Sequence, residues 1–323
     1  MNVAILSAWH VHTEGYGKFI NEQPDANLTV LWDDDPVRGA DMAQKLGVPY
    51  EPDLDTMLKR DDVDAVLCCA PTTEHCPLLI KCAQAGKHIF TEKALAPTVE
   101  ECKAIAKAVQ ENGVKFVISH PHLSEPGVEY AKQAIDQGLL GKVTYFRMRT
   151  AHDGSSGGWL PDYWYDLTKA GGGAMMDLGC HPNDTAAYLM GKPKKIASIF
   201  NSTYAPQGED NAVSVIEFES GAIGVLETGF VTPFSRSPIE IQGTEGSITI
   251  QGGKVSIRSK KLGVDGTVIV EQLPAARPAP LRQWIDAVEH GADIFLDMNK
   301  AIALTELLEN EYKAAEGGKT VCL

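Results

Sequence analysis

Five short, mainly apolar runs punctuate the first third of the chain, at residues 2–6, 28–32, 63–69, 87–90 and 115–119. Runs of that length with little polar alternation read as strands buried on both faces. Longer segments between them read as helices. The first reaches about residue 20, the second ends at Leu46 with Gly47 as its stop, the third ends at Gly86, and the fourth spans 98–112. Strand and helix alternating through ~120 residues predict a parallel sheet with right-handed crossovers.

Beyond residue 122 the period changes. A helix at 126–137 precedes Gly138 and a strand at 142–150, and a Gly-, Trp- and Tyr-rich loop runs on to residue 170. Apolar and polar positions then alternate with period two over 196–203, 212–218, 223–230, 239–242, 247–250, 255–258 and 267–270. Gly221 and the Gly252–Gly253 pair mark hairpin turns, and helices at 281–290 and 299–315 close the chain. Strands with helices on one side predict an α+β second domain. The expected division is 1–121 and 122–323.

The 323 residues suffice for two domains with substantial cores. A net charge of −14 argues against nucleic acid or an anionic membrane surface as partner, because both need a basic footprint. No apolar run approaches the length of a membrane span, and the N-terminus lacks the basic segment of a secretion signal. The seven cysteines include an adjacent pair, Cys68 and Cys69, and none spaced for zinc. This suits a reducing compartment, and the cytoplasm is expected.

The stretch 171–184 is the densest in candidate chemistry. Asp177, His181 and Asp184 stand at i, i+4 and i+7, one face of a helix if that helix is continuous. A histidine between two carboxylates can have its tautomer fixed and its imidazolium stabilised, which suits a general acid/base. Pro182 requires the helix to start near His181 or to kink there. Ordinary capping acids at a helix N-terminus carry the same spacing, so the pattern alone leaves both readings open.

If the first domain binds a dinucleotide, its first strand should run into Gly-x-Gly-x-x-Gly. The three glycine positions hold Ser7, Trp9 and His12. Trp9 must then point away from the phosphates, while the helix start with His10 and Val11 still offers N–H groups to an anion. Packing of the turn by Trp9 and His12 is the competing reading. Asp33, ~20 residues past the turn, stands where an acid accepts the ribose hydroxyls, and its charge repels a 2′-phosphate, so NAD is expected over NADP. Two His-x-His pairs, His10/His12 and His120/His122, follow the first and last strands of this domain. With Glu74, His75, Asp177 and His181 they offer many ligand atoms. Hydrogen-bonding neutral imidazoles are the preferred reading, and no metal is expected. Trp159, Tyr163, Trp164 and Tyr165 lie on the glycine-rich loop and suit the apolar face of a sugar. A dimer interface or a satellite core explains them equally well.

Four segments together resemble the glucose–fructose oxidoreductase / inositol dehydrogenase (Gfo/Idh/MocA) family. Gly171-Gly172-Gly173 leading to Asp177-x-Gly179-x-His181-x-x-Asp184 is similar to one of its signatures. Gly86-Lys87-His88-Ile89-Phe90-Thr91-Glu92-Lys93-Ala94 matches its Gly-Lys-His and Glu-Lys-Pro segment, with Ala94 for the proline, so a cis or rigid turn is not implied there. Ala70-Pro71-Thr72-Thr73-Glu74-His75 matches its loop over the cofactor, and Leu31-Trp32-Asp33 resembles its second strand ending. Where the family commonly carries an arginine before a helix-opening proline, this chain has Leu123.

The resemblance implies a Rossmann domain joined to an α+β domain built on an open-faced, mostly antiparallel sheet. It implies an NAD-dependent oxidoreductase that moves a hydride between a secondary alcohol of a sugar or cyclitol and nicotinamide. Lys93, Asp177 and His181 become the catalytic residues. Ser7, Trp9, His10, Val11, Asp33, Pro71, Thr72, His75 and Glu92 become cofactor-binding. His120, His122, Trp159, Tyr163 and Asp184 become substrate-binding. A homodimer or homotetramer is implied as well. Two rival readings remain: an enzyme using NAD transiently for sugar epimerisation or glycoside cleavage, and a non-catalytic sugar- or nucleotide-sensing protein.

Overall fold

The computed structural model describes residues 1–235, 238–263 and 266–323. Two compact units make up the chain: Met1–Ser119 with Pro278–Thr305, and His120–Arg277 with Glu306–Leu323.

The first unit begins with β1 (Asn2–Leu6), α1 (Thr13–Asn21), β2 (Asn27–Trp32), α2 (Pro36–Leu46), α3 (Leu54–Leu58), β3 (Ala65–Cys68), α4 (His75–Gln84), β4 (His88–Thr91), α5 (Val99–Glu111) and β5 (Phe116–Ile118). The five strands form a parallel sheet in the order β2-β1-β3-β4-β5. Every residue of β3 and β5 is buried, which is why these strands read as unbroken apolar runs. Local signals fix the helices. Asp35 accepts the N–H groups of Val37 and Arg38 ahead of Pro36, and Gly47 closes α2 in the left-handed conformation. Thr98 and Glu101 form a capping box on α5. Strand order reverses between β1 and β3, and ligands of such sheets bind outside the carboxyl ends at that point.

In the second unit α6 (Pro126–Asp136) leads to β6 (Val143–Ala151), and α7 (Leu167–Ala170), α8 (Ala174–Asp177) and α9 (Cys180–Met190) follow. Then come β7 (Pro193–Asn201), β8 (Asn211–Phe218), β9 (Ile223–Gly229), β10 (Ile239–Gly243), β11 (Gly246–Gln251), β12 (Lys254–Ser259) and β13 (Val268–Ile269). After α10 (Pro280–Glu289) and α11 (Met298–Gly317) the chain ends in β14 (Val321–Cys322). The sheet runs β13-β12-β11-β10-β6-β9-β8-β7-β14. Among the described residues every neighbouring pair is antiparallel except β6 with β9. Period two places one face inward: Ala212, Ser214, Ile216 and Phe218 of β8 are buried, whereas Val215 between them is exposed. α8 and α9 pack against β6, β8 and β9. Ile199, Val215 and Ile223 leave an apolar surface on the sheet.

The division does not follow chain order as the sequence reading expected. Pro278–Thr305 groups with the first unit. The cause is α10, which packs on β4 and β5. Its Trp284 is fully buried with its ring 5.7 Å from that of Phe90. Arg282 lies 2.7 Å from Asp25, whose carboxyl it holds far below the usual range, and the Met1 ammonium lies 3.0 Å from Glu289. Among the described residues no helix is long and apolar enough to cross a membrane.

Candidate active site

The β1–α1 turn joins strand to helix where a dinucleotide loop would stand, without its glycines. Ser7 adopts the left-handed backbone (φ 66°), the one non-glycine to do so among the described residues. Its N–H donates to the Trp32 carbonyl at 2.6 Å, and its hydroxyl accepts the Trp9 N–H at 3.2 Å. The Trp9 side chain is buried, and Val11 at the crest is 45% exposed. The indole is therefore turned inward, away from the crest. First-turn N–H groups of α1 have no partner within the helix and meet the carboxyl edge of the sheet. On this geometry the turn fits an anionic dinucleotide.

Asp33, buried at the end of β2, accepts the N–H groups of Ala8 (2.6 Å) and Asp35 (2.8 Å). It also accepts Arg38 through Nε (3.0 Å) and Nη2 (2.5 Å). Arg38 reaches Asp34 as well, at 2.7 Å. The sequence reading missed Arg38, although its place five residues after Asp33 on α2 was the available signal.

Past β4, Glu92 is the hub of a buried network. Its Oε1 accepts the Tyr16 hydroxyl and lies 2.8 Å from His12 Nδ1, and its Oε2 accepts the Lys93 N–H at 3.1 Å. The Tyr16 oxygen also lies 2.9 Å from Ser119 Oγ. Burial opposes ionisation, yet the His10 and His12 imidazoles hold the Glu92 carboxyl well below the usual carboxylate range. Lys93 is buried beside it, and the Lys93–Ala94 peptide is cis. Tyr16 was missed as well, although it stands one helical turn after His12.

His75, expected to bind the cofactor, has both ring nitrogens on backbone carbonyls. The imidazole is buried, with Nε2 2.9 Å from the Ala70 carbonyl and Nδ1 3.1 Å from those of Ala94 and Leu95. Burial works against its charge, but the neighbouring Cys68 and these carbonyls raise its pKa above the ordinary histidine value. Its ring clasps the loop after β3 to the loop after β4. Pro71 and Thr72, in the turn ahead of it, are buried too.

In the second unit the 171–184 stretch is not one helix. α8 ends at Asp177 and α9 starts at Cys180. Pro182 lies in the first turn of α9, where a missing N–H costs no intrahelical bond. A Cβ on Gly179 would stand 2.3 Å from the Met175 carbonyl oxygen, so the break between the two helices has room only for glycine. Asp177 and His181 thus come from two helices and not from one continuous face. Asn183 spans the break, donating to the Gly179 carbonyl and to Glu311 Oε2, both at 2.9 Å.

α9 sorts the second His-x-His pair. The His122 ring meets the His181 ring edge-on at 4.6 Å, and His122 Nδ1 lies 2.7 Å from Glu125. His120, fully buried, has Nδ1 4.0 Å from Asp184 Oδ2. His181 and Asp184 are themselves buried, while Asp177 is half-buried.

The glycines before α8 admit a brace. Glu209 accepts the N–H groups of Gly173 (3.1 Å) and Met175 (2.9 Å) and the Tyr312 hydroxyl (2.6 Å). The Tyr312 oxygen accepts the N–H groups of Gly173 and Met176, each at 3.2 Å. Glu209, Glu311 and Tyr312 were not foreseen, because nothing local in the sequence ties them to residues 171–184.

In the aromatic loop, Trp159 is 51% exposed, donates from Nε1 to Asp153 at 3.0 Å and lies 4.7 Å from the His152 ring. Tyr163 is exposed, whereas Trp164 is buried as core. Tyr165 donates to Ser155 Oγ at 2.9 Å.

Comparison with known proteins agrees with this layout. Residues 2–120 match the profile described as "Oxidoreductase family, NAD-binding Rossmann fold", and residues 128–249 match the "GFO/IDH/MocA C-terminal domain". Fold and sequence thus define an NAD-binding oxidoreductase. The chain belongs to the Gfo/Idh/MocA family. It is 33% identical over 258 residues to the scyllo-inositol 2-dehydrogenase (NAD(+)) of Bacillus subtilis, covering 75% of this chain and 72% of that one. It is 30% identical over 255 residues to the 2,7-anhydro-N-acetylneuraminate hydratase of Mediterraneibacter gnavus, covering 76% and 67%. Among solved structures, GenD2 from gentamicin A biosynthesis in complex with NAD matches with a TM-score of 0.85 at 26% identity, covering 100% of this chain and 96% of that one.

Proposed function

We propose that the protein is a dehydrogenase of a cyclitol or sugar that oxidises a secondary alcohol with NAD. The observation that carries this reading is the histidine–carboxylate set of the second unit: His181 edge-on to His122 at 4.6 Å, with Asp177 closing the helix before it. A buried imidazole with a second imidazole packed edge-on against it suits a general base. The named activity of the Bacillus relative supports a cyclitol as substrate class.

NAD, when bound, supplies the hydride acceptor. The chain's own groups manage the proton and the position. In the oxidising direction His181 takes the hydroxyl proton. Lys93 donates to the same oxygen, and its charge opposes the negative charge that grows there. Asp177 orients His181 or grips a neighbouring hydroxyl. His120, His122 and Asp184 bind further hydroxyls, and Trp159 and Tyr163 take the apolar face of the ring. Ser7, Trp9, His10 and Val11 line the phosphate turn, and Asp33 takes the ribose. Assembly as a homodimer or homotetramer in the cytoplasm belongs to the same proposal.

The test is NADH absorbance with scyllo-inositol, myo-inositol and a panel of aldoses, alongside NAD binding by calorimetry. His181→Ala and Lys93→Ala should each lower turnover by roughly 10²–10⁴-fold while leaving NAD affinity nearly intact. A substrate consumed with no net NADH would mark transient use of NAD. Failure to bind NAD would sink both.

A further inference from the structure

Three side chains of metal-ligand type converge in the first unit around one buried carboxylate. Glu92 Oε1 lies 2.8 Å from His12 Nδ1 and 3.8 Å from His10 Nδ1. One ligand atom from each of the three residues falls within 4.8 Å of the other two. Nitrogen and oxygen ligands ~2.0–2.2 Å from a zinc-type ion lie ~3–4 Å from one another. Small rotations therefore close this cluster on a single ion.

The state of each atom is suitable. His10 Nδ1 accepts the His12 N–H at 3.2 Å, so it presents a lone pair there and not a proton. A cation can take that lone pair in place of a long hydrogen bond. The His12 side chain is 51% exposed, which opens the cluster to solvent and is poorly explained by packing of the turn. Glu92 also accepts the Tyr16 hydroxyl and the Lys93 backbone N–H, both neutral donors, with the Lys93 ammonium charge acting on it as well. A buried carboxylate gains most from a cation at short range.

We propose that His10, His12 and Glu92 form a site for a divalent transition-metal ion, held by two imidazole nitrogens and one carboxylate oxygen. This revises the expectation of no metal drawn from sequence. The mixed nitrogen and oxygen set suits Zn²⁺, Co²⁺, Mn²⁺ or Fe²⁺, whereas Mg²⁺ and Ca²⁺ favour oxygen-only cages. Three protein ligands leave coordination positions for water or another oxygen ligand.

A second cluster supplies a control. Asp25, Asp286 and His290 also converge. The Arg282 guanidinium lies 2.7 Å from Asp25 and 2.8 Å from Asp286, and its own charge fills that space.

The experiment uses the full chain, stripped of metal with a chelator and free of NAD, titrated with Zn²⁺ by calorimetry and with Co²⁺ by visible absorption. One equivalent should bind with a Kd of about 10 µM or tighter. His12→Ala should weaken binding at least about tenfold, a difference of ~1.4 kcal/mol. Glu92→Gln should do the same, His290→Ala should change nothing, and Mg²⁺ should not compete. His12 is half exposed, so its alanine variant decides the matter even if Glu92→Gln fails to fold. Equal binding by wild type and His12→Ala would overturn the site. A Co²⁺ spectrum dominated by thiolate charge transfer, which would place the ion on a cysteine, would overturn it too. No binding at all would end the proposal.

Discussion

The turn after β1 and the stretch before α8 are both glycine positions of the family signatures, and only the second still holds glycine. At Ser7 the requirement is a backbone angle. The left-handed region costs a non-glycine residue ~1–2 kcal/mol, and here the hydroxyl that accepts the Trp9 N–H helps to offset it. At Gly173 the requirement is space. A Cβ there would stand 2.1 Å from the Glu209 carbonyl oxygen, and no side-chain bond can compensate for that. An angle can be met by another residue, whereas an occupied volume cannot. The nucleotide turn can therefore diverge while the brace under Asp177 and His181 cannot.

The largest test of the contrast lies in the brace itself. Burial raises the pKa of Glu311 from 4.5 to about 8, against the hydrogen bonds from Ser214 and Asn183. The folded acid keeps a proton that the unfolded chain releases. Its contribution to stability is complete below about pH 4.5 and is lost as pH rises through about 8. The difference across that window is of the order of 5 kcal/mol. Glu311→Gln mimics the protonated form and should remove the loss. Urea unfolding should show the variant gaining on wild type between about pH 5 and about pH 9. A gap that does not change with pH would mean that Glu311 is not the acid responsible.

Next in size is Gly173→Ala, which should cost ~3 kcal/mol or prevent folding, since backbone and not a flexible side chain blocks the Cβ. A loss under ~1 kcal/mol would show that the Glu209 segment yields easily. Cofactor choice is smaller. NAD should bind at least about tenfold tighter than NADP, ~1.4 kcal/mol. Arg38→Ala should widen that ratio, because the Asp33 charge would face a 2′-phosphate without its guanidinium. A ratio that narrows would remove Asp33 from the role of discriminator. The smallest effect is expected for Ser7→Gly, within ~1 kcal/mol in stability and with NAD affinity unchanged. A large loss there would mean that the serine hydroxyl does more than steady the turn.

Much of the fold was legible because its signals are local. Buried strands show as apolar runs, Gly47 and the Thr98–Glu101 pair mark helix ends, and Gly221 and Gly252–Gly253 mark hairpins. The short helix at Leu54–Leu58 and the closing strand Val321–Cys322 escaped, since each carries too few residues for a period to show. In the site, the residue types of 171–184 were legible, and Pro182 already called for a helix start near His181, where α9 begins at Cys180. The tight approach of the Met175 carbonyl to Gly179 is a contact that spacing does not encode. Glu209, Glu311 and Tyr312 stand 34 or more residues along the chain from the groups of that stretch they bind. His75 matched its motif and still turned inward, because a motif fixes where a residue stands and not where its ring points.

The return of Pro278–Thr305 to the first unit has a consequence for the order in which the molecule can be built on the ribosome. Synthesis at ~5–20 residues per second delivers the five parallel strands within the first 118 residues. Trp284, which covers Phe90, and Arg282, which pairs with Asp25, emerge only after the nine-stranded sheet's long run of hairpins. The first unit to be translated is thus not the first that can be completed. During that interval the Tyr16 ring of α1 can already pack on Phe90, but the part that Trp284 covers stays open.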